Sequence, residues 1–184
     1  MRVTREQAEG NREKIVAAAA RLFRENGFDG VGIDDIMAQA GLTHGGFYRH
    51  FGSKQDLATE AVAHALAVSG GRHQAQPSLD ALLDAYLSPA HRDNTDGGCV
   101  FAALGSDIAR GGAGPRRALT DALRARIARV SNWVKAGGPA ARRRQAVTTV
   151  AAMVGALILA RAVDDPDLSQ EFLDATRASL AKLV

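Results

Sequence analysis

The sequence predicts an all-α protein with a three-helix N-terminal domain and a larger C-terminal helical bundle. Apolar residues recur at the i, i+3, i+4 spacing of amphipathic helices along much of the 184-residue chain. Aromatic residues make up 5% of the chain, so the core has to consist mainly of Ala, Val, Leu and Ile. The most apolar run, 146–160, ends at Arg161 and is shorter than the ~20 residues that cross a membrane. We therefore expect it to be a buried helix, and we expect no membrane partner.

Four helices are predicted in the first third of the chain, and each begins or ends at a suitable residue. Their ranges are 5–26, 33–40, 43–51 and a longer helix that begins with the capping box SKQD at 53–56. Gly27 ends the first helix, and Gly41 is free to adopt the left-handed backbone conformation that a sharp turn requires. Phe47 and Phe51, four residues apart, are expected to place one face of the third helix in the core.

Two helices joined by a short turn that contains glycine are typical of a helix-turn-helix motif. In that motif the second helix enters the major groove of DNA and contacts bases with its N-terminal residues, which here are Thr43, His44, Gly45 and Gly46. Each glycine costs about 1 kcal/mol relative to alanine in a helix. We interpret the two glycines as residues that let the helix approach the base edges closely. The alternative is that they are tolerated in an irregular first turn.

Residues 11–60 resemble the DNA-binding domain of the TetR family of bacterial transcriptional repressors. The matching segments are IVAAAARLFRENGF at 15–28 and IDDIMAQAGLTHGGFYRHFGSKQDL at 33–57. The resemblance implies a homodimer in which a helix-turn-helix domain, residues 1–52, binds a palindromic double-stranded DNA operator. It also implies that residues 53–184 form a bundle that dimerises and holds a small-molecule inducer, which releases the repressor from DNA.

The resemblance assigns individual DNA contacts. Thr43 and Tyr48 match positions that contact phosphates in the family, and both carry a hydroxyl donor. Lys54 matches a lysine at the start of the fourth helix, where a cation would bind a phosphate. His44 and Gly45 match the positions that read bases. The ring of Tyr48 is expected to face outward, because the phenylalanines on either side of it face inward.

For the other basic residues of this region, the sequence alone allows two interpretations each. Arg49 either faces DNA or pairs with a nearby acid, and His50 is either a second phosphate contact or a solvated side chain. Arg2 and Arg5 either reach the minor groove or belong to a disordered tail. The net charge of +3 permits a nucleic-acid partner without indicating one, so the placement of charge matters more than its sum.

The sequence departs from the family pattern at Val31 and Gly32. The family usually has one or two hydroxyl residues there, at the start of the second helix. Val31 cannot donate a hydrogen bond from its side chain, and Gly32 offers only its backbone amide. The corresponding phosphate contact is therefore not predicted.

The C-terminal region is predicted to contain helices at 78–87, 99–110, 115–135, 140–163 and 167–183, with a loop at 88–98. The last two are the predicted homodimer interface, since they carry apolar residues along one stripe each. These residues are Val147, Val150, Ala151, Val154, Leu157 and Ile158 in the first helix and Leu168, Phe172 and Leu180 in the second. The alternative is a purely intramolecular hairpin.

The candidate inducer pocket is lined by large apolar residues on the inner helices of the bundle. They are Tyr86, Phe101, Leu104, Ile108 and Trp133. Such a lining suits an apolar or aromatic small molecule, although each of these residues is also a typical core residue. Cys99 is included because it stands at a predicted helix start, where the helix dipole lowers a thiol pKa. This leaves open a repressor that senses electrophiles through Cys99, or a Cys99 that is simply a small buried residue.

No enzymatic motif is present, so we expect no catalytic residue, no metal and no other cofactor. The chain has no GxSxG and no P-loop, and its histidines at 44, 50, 64, 73 and 91 show no HxxxH or HExxH spacing. The single cysteine excludes an internal disulfide, and residues 1–14 have no apolar stretch, so a cytoplasmic location is expected. A dimeric DNA-binding protein without any ligand is a further alternative.

Overall fold

The computed structural model describes residues 4–183, apart from the side chains of residues 73 and 74. This part of the chain is all-helical, which confirms the predicted fold class. Its helices are α1 (Arg5–Asn26), α2 (Ile33–Gln39), a 3₁₀ helix (His44–Arg49), α3 (Lys54–Gln74), α4 (Leu79–Tyr86), α5 (Pro89–Asp93), α6 (Val100–Arg110), α7 (Ala113–Ser131), α8 (Gly138–Ala162) and α9 (Pro166–Ala181).

Helix α1 has the bounds that the sequence predicts, because both of its ends are determined locally. Thr4 and Gln7 form a capping box: the Thr4 hydroxyl accepts a hydrogen bond from the Gln7 amide at 3.2 Å, and the Gln7 side chain accepts one from the Thr4 amide at 2.9 Å. Gly27 ends the helix with φ of +74°. Arg5 is the first residue of α1 and pairs with Glu9 at 3.1 Å, whereas Arg2 lies outside the described residues.

The predicted third helix is a single 3₁₀ segment of six residues, His44–Arg49. Two adjacent glycines lower the helix propensity of its first turn, and short 3₁₀ helices are common in such positions. Thr43 is its N-cap and makes no side-chain capping hydrogen bond. Phe47 and Phe51 are buried as predicted, and Gly41 has a φ of +71°. Packing of Phe47 and Phe51 in the core thus helps to hold this short element against its neighbours.

Helix α3 connects the N-terminal helices to the bundle. It packs against α1 on one side and α7 on another, and α7 packs in turn on α8 and α8 on α9. Helix α6 also contacts both α1 and α3. Arg12 joins α1 to its neighbours, because its guanidinium lies 4.3 Å from the centre of the Phe51 ring and 2.5 Å from a Glu60 carboxylate oxygen.

Two features of the C-terminal region differ from the prediction. The segment predicted as a loop contains α5, which begins with Ser88 as N-cap and Pro89 in its first turn; this pair starts a helix as readily as it breaks one. Helix α7 ends at Ser131, earlier than predicted, so Trp133 and Val134 follow the helix rather than belong to it.

Helix α8 is buried on one face only, contrary to the expectation of a buried helix. Val150 and Leu157 point into the core, as does Leu180 of α9, whereas Val147 is 44% exposed and Ile158 is 42% exposed. The helix is also long and apolar enough, by length and composition, to cross a membrane, a property that core helices of water-soluble proteins share. The face that remains exposed is apolar, and the structure offers no covering for it within the described residues.

Candidate nucleic-acid interface and cavity

The eight residues predicted to contact DNA lie on the 3₁₀ helix and the residues that flank it. Thr43, His44, Gly45, Tyr48 and Arg49 are exposed, and Gly46, His50 and Lys54 are partly buried. The Tyr48 side chain is 64% exposed and meets the Phe47 ring edge-on at 5.1 Å between ring centres. The outward direction predicted for this ring is thus confirmed, and the buried ring of its neighbour supports it.

His44 is held by an acidic residue of the preceding helix. Its Nδ1 contacts a carboxylate oxygen of Asp34 in α2. Because a carboxylate can only accept a hydrogen bond, the proton lies on Nδ1, and Nε2 is left as an acceptor when the ring is neutral or a donor when it is charged. Asp34 was not predicted as a site residue, since its contact with His44 depends on the geometry of the turn between the two helices.

The two glycines face different surroundings. A Cβ atom added to Gly45 would meet no atom within 4 Å, whereas one added to Gly46 would lie 3.5 Å from the Met37 methyl group. Gly45 therefore faces outward and Gly46 faces α2. Neither position excludes a side chain on the grounds of space within the protein.

His50 lies between two arginines at the edge of this surface. Burial lowers the pKa of His50, and the charges of Arg12 and Arg49 lower it further. The imidazole is therefore neutral at neutral pH. A phosphate close to His50 would raise its pKa, against the effect of the two arginines, and would favour the charged imidazole.

The departure at Val31 and Gly32 has a structural explanation. The Val31 side chain is buried in the core, and the Gly32 amide donates a hydrogen bond to a carboxylate oxygen of Asp35 at 3.0 Å. Both groups are used within the protein, so neither is presented to a phosphate.

A cavity of about 460 Å³ opens between α3, α4, α5 and the segment that follows α5. Its described polar lining is Ser69, Arg72, Gln76, Tyr86, Ser88, His91 and Asn94. Of the predicted ligand-binding residues, Tyr86 belongs to this lining, and Phe101 lines a neighbouring cavity of about 280 Å³. Leu82 and Ser69 line both cavities, so the two are adjacent.

The remaining predicted ligand residues lie elsewhere. Leu104 and Ile108 are buried in the core, and Trp133 packs beside the guanidinium of Arg129 at 4.9 Å. Cys99 is 1% exposed, which agrees with the alternative of a small buried residue. These four residues line neither cavity.

Tyr86 lines the 460 Å³ cavity and has several partners. Its hydroxyl donates a hydrogen bond to the Cys99 sulfur at 3.0 Å, and its ring centre lies 4.5 Å from that of His91. Burial raises the pKa of Tyr86 well above its usual range, with a smaller contribution from Cys99. The hydroxyl therefore remains a neutral donor. Nδ1 of His91 donates to the Tyr86 carbonyl oxygen at 2.7 Å, because a carbonyl oxygen can only accept.

Residues 94–98, which we call the arginine-held loop, connect the cavity to the N-terminal helices. Nε of Arg24 in α1 donates a hydrogen bond to the Asp96 carbonyl oxygen at 2.6 Å. Nη2 of Arg72 in α3 donates to the Gly97 carbonyl oxygen at 2.9 Å. The same loop thus contacts a helix of the N-terminal domain and a residue of the cavity.

A third arginine supports this region from α8. Arg161 donates to the carbonyl oxygens of His91 and Arg92, both at 2.9 Å, and to that of Asn94 at 3.1 Å. None of these contacts was predicted, because residues 88–98 show no helical period and the partners come from distant parts of the sequence. The one signal available was the polar composition of the segment.

Comparison with known proteins agrees with this architecture. Residues 15–69 match the sequence profile of the bacterial regulatory proteins of the tetR family. The chain is 47% identical over 53 residues to the HTH-type transcriptional regulator LmrA of Bacillus subtilis, a match that spans 28% of each protein. It is 28% identical over 167 residues to the HTH-type transcriptional regulator Rv0196 of Mycobacterium tuberculosis, covering 83% of this chain and 85% of that protein.

Solved structures match over almost the whole chain. A TetR transcriptional regulator from Chloroflexus aurantiacus superimposes with a TM-score of 0.81 at 25% identity, covering 96% of this chain and 95% of that one. NemR of E. coli in its reduced form gives a TM-score of 0.76 at 22% identity, with 94% and 96% covered; this likeness concerns the fold.

The fold and the exposed 3₁₀ surface define a helix-turn-helix transcriptional regulator. Residues 15–69 match the TetR family of bacterial regulatory proteins, and the described chain has the fold of TetR-family regulators. The relatives named here are transcriptional regulators rather than enzymes. Within the described residues, no group of three or more His, Cys, Asp or Glu side chains is placed to hold a metal ion.

Proposed function

We propose that the protein is a cytoplasmic, homodimeric repressor that binds a palindromic operator and is released by a small molecule. Residues 1–52 serve as the DNA-binding domain, and residues 53–184 serve as the ligand-binding and dimerisation bundle. The observation that carries the proposal is the outward surface of the 3₁₀ helix, where Tyr48, His44 and Gly45 are exposed beside Arg49. Hydroxyl, imidazole and guanidinium groups on one short element suit contacts with phosphates and base edges.

The apolar face of α8 and α9 supports the proposed dimer. Val147, Ala151, Val154 and Ile158 follow the i, i+4, i+7, i+11 spacing of one helix face, and Leu168 of α9 is 38% exposed. An exposed apolar stripe of this kind is typical of a protein–protein interface. A two-fold dimer would also present two DNA-binding domains to half-sites about 34–36 Å apart, or a multiple of that distance.

The 460 Å³ cavity is the proposed inducer site. Its volume lies within the range of about 300–1,000 Å³ that small-molecule sites occupy. Asn94 and Gly97 of the arginine-held loop line it, and Arg24 of α1 contacts the same loop. A ligand that displaces the loop would therefore act on the position of α1 and, through it, on the helix-turn-helix.

A switch through Cys99 is less well supported than a bound ligand. The thiol is 1% exposed, and Tyr86 donates a hydrogen bond to its sulfur, so we assign Cys99 a packing role. A Cys99→Ser variant should respond to inducer and electrophiles as the wild type does. The assignment would be contradicted if electrophiles release the wild type from DNA but do not release the Cys99→Ser variant.

The test of DNA binding is fluorescence anisotropy of the purified protein on its own upstream DNA across a salt series, beside the Tyr48→Ala variant. We expect tight binding that weakens steeply with salt and a further loss of affinity in the variant. Because Tyr48 is 64% exposed, the melting temperature should change little. Val68→Ala is the matched control, since Val68 is also exposed but lies on α3, away from the 3₁₀ helix.

Two results would contradict the proposal. One is equal affinity for the upstream DNA and for random DNA of the same length. The other is an equal effect of Tyr48→Ala and Val68→Ala on affinity, which would place the DNA-binding surface elsewhere.

A further inference from the structure

We propose that the ligand of the 460 Å³ cavity is a small organic anion with an apolar body, whose acidic group binds Arg72. The inference rests on the proposed function, because it names the chemical class of the inducer. Its first support is the charge of the lining. Arg72 lines the cavity, and among the described lining residues none is Asp or Glu. A cationic ligand would find no counter-charge there, whereas an anion would find a guanidinium.

The surroundings of the cavity are also positively charged. Arg161 donates to the carbonyl oxygen of Asn94, a lining residue, and the Arg126 guanidinium lies 5.8 Å from the centre of the Tyr86 ring. His91, which also lines the cavity, experiences both of these charges together with that of Arg72.

The shift in the pKa of His91 also reflects the positive charges around the cavity. Burial lowers this pKa, and Arg161, Arg126 and Arg72 lower it further against the opposing effect of its hydrogen bond to the Tyr86 carbonyl oxygen. Two acids adjoin lining residues of the loop. Asp93 is engaged with the Arg92 guanidinium at 2.7 Å, and Asp96 lies close enough to Arg24 to oppose the lowering of the pKa of that arginine by burial. An arginine thus opposes each of these negative charges. The potential in the cavity therefore favours an anion.

The remaining lining defines the rest of the ligand. Leu82, Ala85 and Ala90 form an apolar wall, and the Ser88 hydroxyl and the Asn94 amide add neutral polar groups. This combination suits a molecule with an aromatic or aliphatic body and one acidic group. It adds an acidic group to the apolar or aromatic ligand expected from the sequence, because the residues that form the cavity are more polar than the aromatic and aliphatic residues that the sequence singled out.

Binding of an acid at Arg72 would also compete with a contact of the protein. Nη2 of Arg72 donates to the neutral Gly97 carbonyl oxygen at 2.9 Å. A carboxylate accepts charge-assisted hydrogen bonds that are roughly twice as strong as those of a neutral acceptor, and it can accept two from one guanidinium. The acid would draw Arg72 away from the arginine-held loop, which also carries the contact with Arg24 of α1. The charge of the ligand thus serves both recognition and release.

The test compares ligands of equal shape and different charge on the full-length protein. Thermal unfolding is followed with phenylacetate, phenylacetamide and phenethylamine, and again with octanoate, octanamide and octylamine. A ligand that binds the native state raises the melting temperature, and at a given concentration the rise is larger for a ligand of higher affinity. We expect at least one acid to act at a tenfold or more lower concentration than its amide and amine.

The variant Arg72→Gln should remove the preference for the acid. Arg5→Gln is the matched control and should retain the preference. Arg5 is an exposed arginine at the N-terminal end of α1, whereas the arginine of α1 that contacts the arginine-held loop, Arg24, is near the C-terminal end. Equal effects of acid and amide in both series would overturn the proposal, as would no effect of either acid, or a preference that survives Arg72→Gln.

DNA release is measured separately, by anisotropy of the complex with upstream DNA in the presence of the better acid. Release that depends on Arg72 supports both the ligand class and the inducer role. Binding of the acid that depends on Arg72 without release of DNA supports the ligand class but contradicts the proposed function of the cavity.

Discussion

Removal of the Arg161 guanidinium should destabilise the protein through the region around the cavity. In Arg161→Met the side chain keeps an unbranched apolar stem but loses the guanidinium, and with it the hydrogen bonds to the carbonyl oxygens of residues 91, 92 and 94 at 2.9, 2.9 and 3.1 Å. A hydrogen bond to a charged group contributes about 1.5–3 kcal/mol. Burial lowers the pKa of Arg161, so desolvation of the charge offsets part of that gain.

Water can reach part of this region and replace some of the lost bonds, so the free energy of unfolding should fall by about 2–4 kcal/mol rather than by the full sum. For a chain of this size each kcal/mol corresponds to about 2–4 °C, which gives a decrease in melting temperature of roughly 4–16 °C. The measurement is urea unfolding and calorimetry at a fixed protein concentration, because the proposed dimerisation would make the melting temperature depend on concentration.

The matched control is Arg124→Met. Arg124 makes an ion pair with Asp121 at 3.3 Å, and both side chains are about two-thirds exposed or more, so its loss should cost at most about 0.5 kcal/mol. Amide hydrogen exchange of residues 94–98 should be faster in Arg161→Met and unchanged in the control. A stability of Arg161→Met equal to that of the control, with unchanged exchange in the loop, would refute the role assigned to these hydrogen bonds.

Three further predictions concern other parts of the molecule. Gly45→Val should weaken binding to the upstream DNA tenfold or more without lowering the melting temperature, because its side chain would point into open space; anisotropy decides this, and Gly46→Val, which faces Met37, is the comparison. Ile158→Glu should convert the dimer to a monomer in light scattering, since it buries a charge in the proposed interface; a stable dimer would contradict the assigned face. Because the pKa of His91 is lowered from 6.5 in the folded state, the unfolded chain binds a proton at higher pH than the folded chain does. The corresponding stability is present above pH 6.5 and is lost as the pH falls below it, so the free energy of unfolding should decrease on acidification by a larger amount in the wild type than in His91→Asn. Equal slopes in urea unfolding would show that His91 does not titrate in this way.

Elements with local determinants could be predicted from the sequence closely. Helix α1 begins after the Thr4 capping box and ends at Gly27, and both signals lie within a few residues of the helix end. The inward faces of Phe47 and Phe51 and the outward face of Tyr48 follow from spacing alone. The residues proposed to contact DNA occupy one short segment, and the structure places them on the 3₁₀ helix and its flanks, with Tyr48, His44 and Gly45 exposed.

Elements that depend on competing signals were predicted less well. The glycine pair converted the expected third helix into a 3₁₀ segment, and Ser88 and Pro89 began a helix where a loop was expected. In α8 the apolar residues extend around the helix, so periodicity could not decide that Val150 and Leu157 face the core while Val147 and Ile158 stay exposed. That choice depends on which neighbours pack against the helix.

The all-α fold, the bounds of α1 and the segment proposed to contact DNA could be read from the sequence, because each depends on residues close together in the chain. The composition of the cavity and its link to α1 depend instead on contacts between helices that are distant in the sequence. Arg24, Arg72 and Arg161 come from three helices and meet at the arginine-held loop. Their guanidinium groups satisfy backbone carbonyls of a segment without regular structure, and such pairings depend on the packing of the bundle, which no local pattern encodes.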